Sequence, residues 1–395
     1  MFSLAKLSYF ECYEFQQYWY NTIPNNVIKF EIRQCCETLM AYLKGDKKIN
    51  CRLDIKTCSI AADFGHLDCL QLAHKLGFAW NKDVCMAAAK NGDLDSLKFA
   101  HENGCSWDRS ICYTAAKHGN LECLKYAHEN KCPWDKYTSN WAANCGNFDC
   151  LVYAFVNGCP WDEKTCMLAA HNGHIDCLKF AHENGCPWGE DTCKWAASSG
   201  ELECLMYAHS NGCPWTVDTC TKAATKGRLE CLKYAHINGC EWDKNTCSMA
   251  ASNGHLDCLM YAHENGCPWD ECTTFCAAES GHLDCLIYSF TNGCLCDDKT
   301  SSAAGRNGHL DCLKYLHENK CPFDSFLTYG AAKNGHIDCL QYAHENGGKW
   351  HSDTCYAAAL NGHFECVRYA RKNGCPWDDK TREWAAINGQ FEDCF

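Results

Sequence analysis

A glycine returns every 27 residues, at Gly65, Gly92, Gly119, Gly146, Gly173, Gly200, Gly227, Gly254, Gly281, Gly308, Gly335, Gly362 and Gly389, with no insertion at any step. A period this strict means that each unit packs only against its neighbours, in a quasi-one-dimensional stack. It overrides the roughly two or three globular domains that the chain length alone would suggest. The fullest copy of the phrase runs AAHNGHIDCLKFAHENGCPWGEDTC, from Ala169 to Cys193.

Each unit reads as two short helices. In the first, Asp162 suits the N-cap, where its carboxylate accepts a backbone N–H of the opening turn. Cys166, Ala169, Ala170 and Gly173 then recur at i, i+3, i+4 and i+7, the stripe a helix buries. All are small, so a neighbouring helix can approach closely. The second helix runs from about Ile175 to Glu183, with only Asp176, Lys179 and Glu183 forming a polar strip. A helix apolar on nearly every other side is sandwiched between others. Gly185 ends it in the left-handed conformation that glycine tolerates, Pro187 cannot continue it, and Trp188 is placed to plug the gap between successive units. The histidines of the Gly-His step (His66, His174, His255) are expected to assist the start of the second helix.

The fold class is therefore all-α, a solenoid of helical hairpins. The array spans residues 51–395, about 13 units, the last cut off at Phe395 in mid-helix and ending FEDCF. Residues 1–50 lack the repeat, and we expect them to be a helical cap for the exposed end of the stack.

Ala169, Ala170, Gly173, His174, Ile175, Asp176, Asn184 and Gly185 carry a phrase that closely resembles the ankyrin repeat. It departs from that family in lacking the six residues of the β-hairpin finger and the Thr-Pro-Leu-His opening of the first helix. Such short, Cys- and Trp-rich ankyrin-like repeats resemble those of giant DNA viruses of amoebae and of some protists. The resemblance implies an ankyrin-like solenoid without long β-hairpin fingers and a role in protein–protein interaction. It also suggests a viral effector or adaptor that captures a host protein in the host cell cytosol.

The formal charge of −13 speaks against a nucleic-acid partner, because phosphate binding needs a basic stripe. No signal-peptide pattern opens the chain, and no segment has the roughly 18 apolar residues of a membrane helix. A soluble, cytoplasmic chain in a reducing compartment is therefore expected, and this bears on the 38 cysteines. Cys177, His182, Cys186 and Cys193 recur together, in the number and type of a structural zinc site. The competing reading treats cysteine as a small hydrophobe in the core. The recurring positions include no Cys-x-x-Cys pair, and Cys177 and His182 point to different sides of their helix. Ligands of a site worth roughly 10–16 kcal/mol should be kept or lost together, yet they are lost singly. Ser96 replaces the first cysteine, Phe155 and Phe290 the histidine, Gly348 the third position, and Ser139, Thr274, Ser301 and Thr328 the fourth. Packing is favoured over zinc, disulfides least, and no cofactor is expected.

Nearly every acid, base or thiol that could serve catalysis is a copy of a repeated structural residue, so we expect no enzyme. The positions that vary lie six, five and two residues before each glycine, on one face of the first helix. They hold Tyr113, Trp141, Met167, Trp195, Met249, Phe275, Tyr329, Tyr356 and Trp384, residue types that dominate protein–protein hot spots. Lys90, Lys117, Arg306 and Lys333 are interspersed with Asp63 and Glu279. This row is the expected partner-binding surface of a monomeric chain. The alternatives are a self-associating structural protein and a zinc-stabilised repeat array.

Overall fold

The computed structural model describes residues 34–45 and 54–387. The FEDCF end and most of the segment expected to act as a cap lie outside them. The described residues form 26 α-helices and no strand. The chain divides into two units, Met1–Gly189 and Glu190–Phe395, and both are built in the same way. Within each, the first helix of a repeat packs on its own second helix and on the first helices to either side.

Local chemistry sets the ends of these helices. Asp135, Asp162, Asp243 and Asp270 sit in extended backbone, and each carboxylate accepts the N–H of the residue two further on. Capping of this kind contributes about 1 kcal/mol per helix. Inside, Cys166, Ala169, Ala170, Cys177, Leu178 and Ala181 are at most 1% exposed. Burying the leucine alone contributes roughly 1.5–3 kcal/mol. Asp176 and Glu183 face solvent, with Lys179 half-buried between them.

The periodic glycine has two jobs. Gly254 has φ +73°, and a Cβ added there would lie 2.6 Å from Nδ1 of His282, the Gly-His histidine of the next repeat. Gly227 meets His255 in the same way, also at 2.6 Å. The Gly-His histidines do stand at the N-cap position, but His66, His174 and His255 make no side-chain cap bond. In most later repeats the residue in this place reaches back across the junction, whereas Asp93 caps its own helix by accepting from the Ser96 N–H. Asn120 shows why: its Nδ2 donates to the carbonyls of Ala89 and Lys90, both at 2.8 Å, closing the end of the preceding helix.

A ring ladder runs along the second helices. His236 stacks on Trp242 of its own repeat at 3.8 Å and shares a hydrogen bond of 3.0 Å with the Tyr261 hydroxyl of the next. Trp242 meets Tyr261 edge-on at 6.2 Å. His101, Trp107 and Tyr126 repeat the arrangement in the first unit. Phe155 stacks on Trp161 at 4.4 Å, so phenylalanine keeps the stack and gives up only the hydrogen bond. Where Phe290 and Cys296 replace both His and Trp, Cys296 forms a disulfide with Cys321 of the next repeat. This departs from the expectation that the cysteines serve packing alone: losing the indole lets the two thiols meet. A second local exchange lies nearby. Leu327 stands where most repeats bury a threonine, and a Cβ at Gly305, where the others have alanine, would overlap its Cδ1.

Burial pushes the His236 imidazole below its ordinary 6.5. The fold therefore favours the neutral ring. Its contribution is complete above the unfolded value and is lost as pH falls through the lower folded one. His236→Ala should cost about 2 kcal/mol from the vacated stack, and His236→Phe about 1 kcal/mol or less. Thermal unfolding of the wild type should occur at lower temperature near about pH 5 than near about pH 7.5, and His236→Phe should lessen that difference. An unchanged difference would place its origin outside the ladder.

Candidate partner-binding face

The capping aspartate and the buried Cys-Ala-Ala stripe fix the rotation of each first helix, and this decides which side chains are left outside. Trp195 and Trp384 are exposed. Tyr113, Trp141, Met167, Met249, Phe275, Tyr329 and Tyr356 are half-buried. These side chains are shared between contact with neighbouring first helices and contact with solvent.

The charges of the row are engaged along it. Lys90 pairs with Asp63 at 2.8 Å, and Arg306 with Glu279 at 2.8 Å, each across one repeat junction. Such exposed pairs contribute about 0–1 kcal/mol. They order the surface more than they stabilise it. The Lys117 ammonium lies 4.3 Å from the centre of the Trp141 ring, and that of Lys333 5.7 Å from Tyr329.

In the second unit the face opens into a cavity of about 690 Å³, walled by Phe275 on one side and by Phe326 and Tyr329 on the other. It exists because the intervening repeat offers only Ser302 and Ala303 at the first two of its variable positions, with Gly330 beside them. Arg306 and Lys333 stand at its rim with Asp298 and Asp324. In the first unit a smaller hollow of about 280 Å³ is lined by Ile60, Asp63, Met86 and Lys90.

Phe326 and Tyr137 were not among the sequence-derived candidates, yet they are 58% and 50% exposed. Both lie nine residues before their glycine, one turn ahead of the row. Phe326 is 6.5 Å from Tyr329 and 5.1 Å from His351, ring to ring. The signal was present in the sequence, as an aromatic three or four residues before Tyr329 and Trp141 on the same helix face.

The recurring cysteines and histidine are occupied separately. His182 stacks on Trp188 at 4.2 Å. The Cys186 thiol donates to the Asp162 carbonyl at 3.2 Å. The Cys193 thiol is directed at the Cys213 carbonyl at 3.8 Å. Burial pushes the Cys177 thiol up to about 12. Among the described residues, Cys and His atoms converge at Cys35, Cys36, His66 and Cys69, which are outside the set singled out from the repeat.

Residues 84–128 match the family model for ankyrin repeats (many copies). Over these residues the chain is similar to ankyrin repeats, and the described residues continue the same helical hairpin on either side. No curated protein matches it. Among solved structures it is similar to the human ASB11 ankyrin repeat domain, at 19% identity, 43% of this chain, 96% of that one and a TM-score of 0.36. It is also similar to the pentatricopeptide repeat protein PPR10, solved in complex with an 18-nt psaJ RNA element, at 13% identity and a TM-score of 0.39. That match covers 91% of this chain and spans 64% of PPR10. Among the described residues, no helix is long and apolar enough to cross a membrane.

Of the described cysteines outside the disulfide, Cys272 is exposed, Cys145 and Cys276 are half-buried, and the rest are buried. Burial pushes Cys231 and Cys258 up to about 11, so these thiols are both shielded and protonated at neutral pH. Alkylation of the folded ankyrin-like array with iodoacetamide, read by peptide mass mapping, should modify Cys272 first and leave Cys231 and Cys258 intact until denaturant is added. Equal labelling of all three would refute the packing assigned to them.

Proposed function

We propose that this ankyrin-like array is a non-enzymatic scaffold that holds a protein partner on the exposed row of its first helices. The observation that carries the reading is the cavity between Phe275 and the Phe326–Tyr329 pair. Paired aromatic walls with cations and carboxylates at the rim suit the insertion of one large side chain from a partner, with polar contacts around it. The aromatics lie at the positions that the stack leaves free to vary, where a change alters recognition without disturbing the core. The short Cys- and Trp-rich repeats support a finer reading, a viral effector or adaptor acting on a host protein in the host cytosol. Within it, residues 1–50 cap the stack and residues 51–395 form the array.

A photo-crosslinking amino acid placed at Tyr329, and separately at Glu264 on the exposed strip of a second helix, tests this in amoebal cytosol. A discrete adduct with one protein is expected from position 329 and none from 264. Phe275→Ala together with Phe326→Ala should weaken capture by about 30-fold, the loss of roughly 2 kcal/mol that a hot-spot truncation brings, with helical circular dichroism unchanged. An adduct only from position 264 would move the site to the other face. An adduct between two copies of the chain would replace the scaffold reading with self-association.

A further inference from the structure

The helix Gln34–Leu43 precedes the first repeat and lies against that repeat's two helices, Lys56–Asp63 and Leu67–Lys75. It brings with it Cys35 and Cys36, the one Cys-Cys dipeptide of the chain. Both are fully buried, and both face the first repeat's His66 and Cys69. The Cys35 and Cys36 sulfurs lie 3.4 and 3.6 Å from Nδ1 of His66. Cys36 Sγ is 3.5 Å from Cys69 Sγ and 4.0 Å from Cys35 Sγ. All four ligand atoms lie within 4.8 Å of one another.

These separations can be compared with what an ion requires. Zinc binds thiolate sulfur at about 2.3 Å and imidazole nitrogen at about 2.0–2.1 Å, in a tetrahedron. The edges of that tetrahedron are then about 3.8 Å between two sulfurs and about 3.6 Å between sulfur and nitrogen. The four shorter distances lie close to those two values, and the other two pairs fall within 4.8 Å. Close packing of thiols and imidazole gives separations of this size too, so what singles the cluster out is its composition, three cysteines and a histidine whose ligand atoms converge at one buried point.

A comparison inside the chain points the same way. In later repeats the same histidine covers a glycine of the preceding repeat, as His255 covers Gly227 and His282 covers Gly254. His66 has Cys35 and Cys36 in front of it instead. The His-x-x-Cys spacing puts His66 and Cys69 on one side of the helix start. His255 and Cys258, or His336 and Cys339, keep that spacing, so the array repeats half of a ligand set and the leading helix supplies the other half once. The signal was lost to the period-27 reading because two of the four residues lie outside the period.

We infer that Cys35, Cys36, His66 and Cys69 form a binding site for one zinc ion. Four protein ligands, all buried, leave no position for water or substrate, which makes the site structural rather than catalytic. Zinc would displace three thiol protons and bind neutral imidazole through Nδ1. Because the ligands come from a helix outside the array and from the first repeat, the ion staples one to the other, and docking of the leading helix depends on metal.

The test uses the full-length chain without an affinity tag, incubated with zinc, freed of excess by gel filtration and analysed by plasma mass spectrometry. One zinc per chain is expected. His66→Asn and Cys69→Ser should each abolish stoichiometric binding, and both install residues that other repeats carry at these positions, Asn120 and Asn147 for the histidine and Ser96 for the cysteine. Both variants should therefore keep the helical fold, which circular dichroism checks. Cys177→Ser, in a repeat without the leading cysteines, should retain one zinc. Cobalt in place of zinc should give the thiolate charge-transfer and d–d bands of a tetrahedral site in wild type and in neither ligand variant. Absence of zinc from the wild type, retention of zinc by both ligand variants, or a Cys36–Cys69 disulfide in the intact chain would each overturn the assignment.

Discussion

The stack depends on a place where the chain can carry no side chain. At Gly254 the backbone needs a positive φ to leave one helix and enter the next, and the space where a Cβ would project is filled by His282. The two demands come from different repeats, one local and one from the neighbour. The ring lies 28 residues ahead of its glycine, so an extra residue anywhere between them would shift it off the junction. That explains why the period of 27 runs through the array without an insertion, although surface loops ordinarily tolerate added length well.

Once each junction is fixed, burial divides the positions of the first helix. Cys, Ala and Thr fill the sides that meet other helices, and their small size sets how closely those helices approach. The remaining side belongs to no packing contact that must recur, so Trp141, Ser302 and Tyr329 can occupy equivalent regions of different repeats. The cavity follows directly from this freedom, since it opens where two small residues fall between repeats with large ones.

Features that repeat with the period were legible in the sequence, because each is stated about a dozen times. The Asp162 cap, the Cys166–Ala169–Ala170 stripe and the exposed Asp176 and Glu183 needed only helical periodicity. The Gly-His histidines were placed correctly on their helix, but their work was misread, since spacing within a unit does not show that His282 acts on the unit before it. Phe326 lay one turn beyond the positions scored as variable. Cys35 with Cys36, and Cys296 with Cys321, were illegible for a different reason. Each pairing depends on a departure from the repeat, and periodicity is blind to what occurs once.

The side-chain-over-glycine contact reaches back from a later repeat to the one before it, and most repeats carry both halves, a glycine to be covered and a ring or amide to cover with. A newly duplicated hairpin thus arrives with everything needed to fit between two existing ones, and a deleted one leaves matching edges behind. Within either unit, recombination can lengthen or shorten such an array without any compensating change. The stretch from Cys296 to Leu327 is the exception. There the Leu327 side chain fills the space that a Cβ at Gly305 of the repeat before it would take, and Cys296 is bonded to Cys321. Exchanging one of these repeats alone would leave its neighbour with a mismatched edge, so here the series is no longer interchangeable.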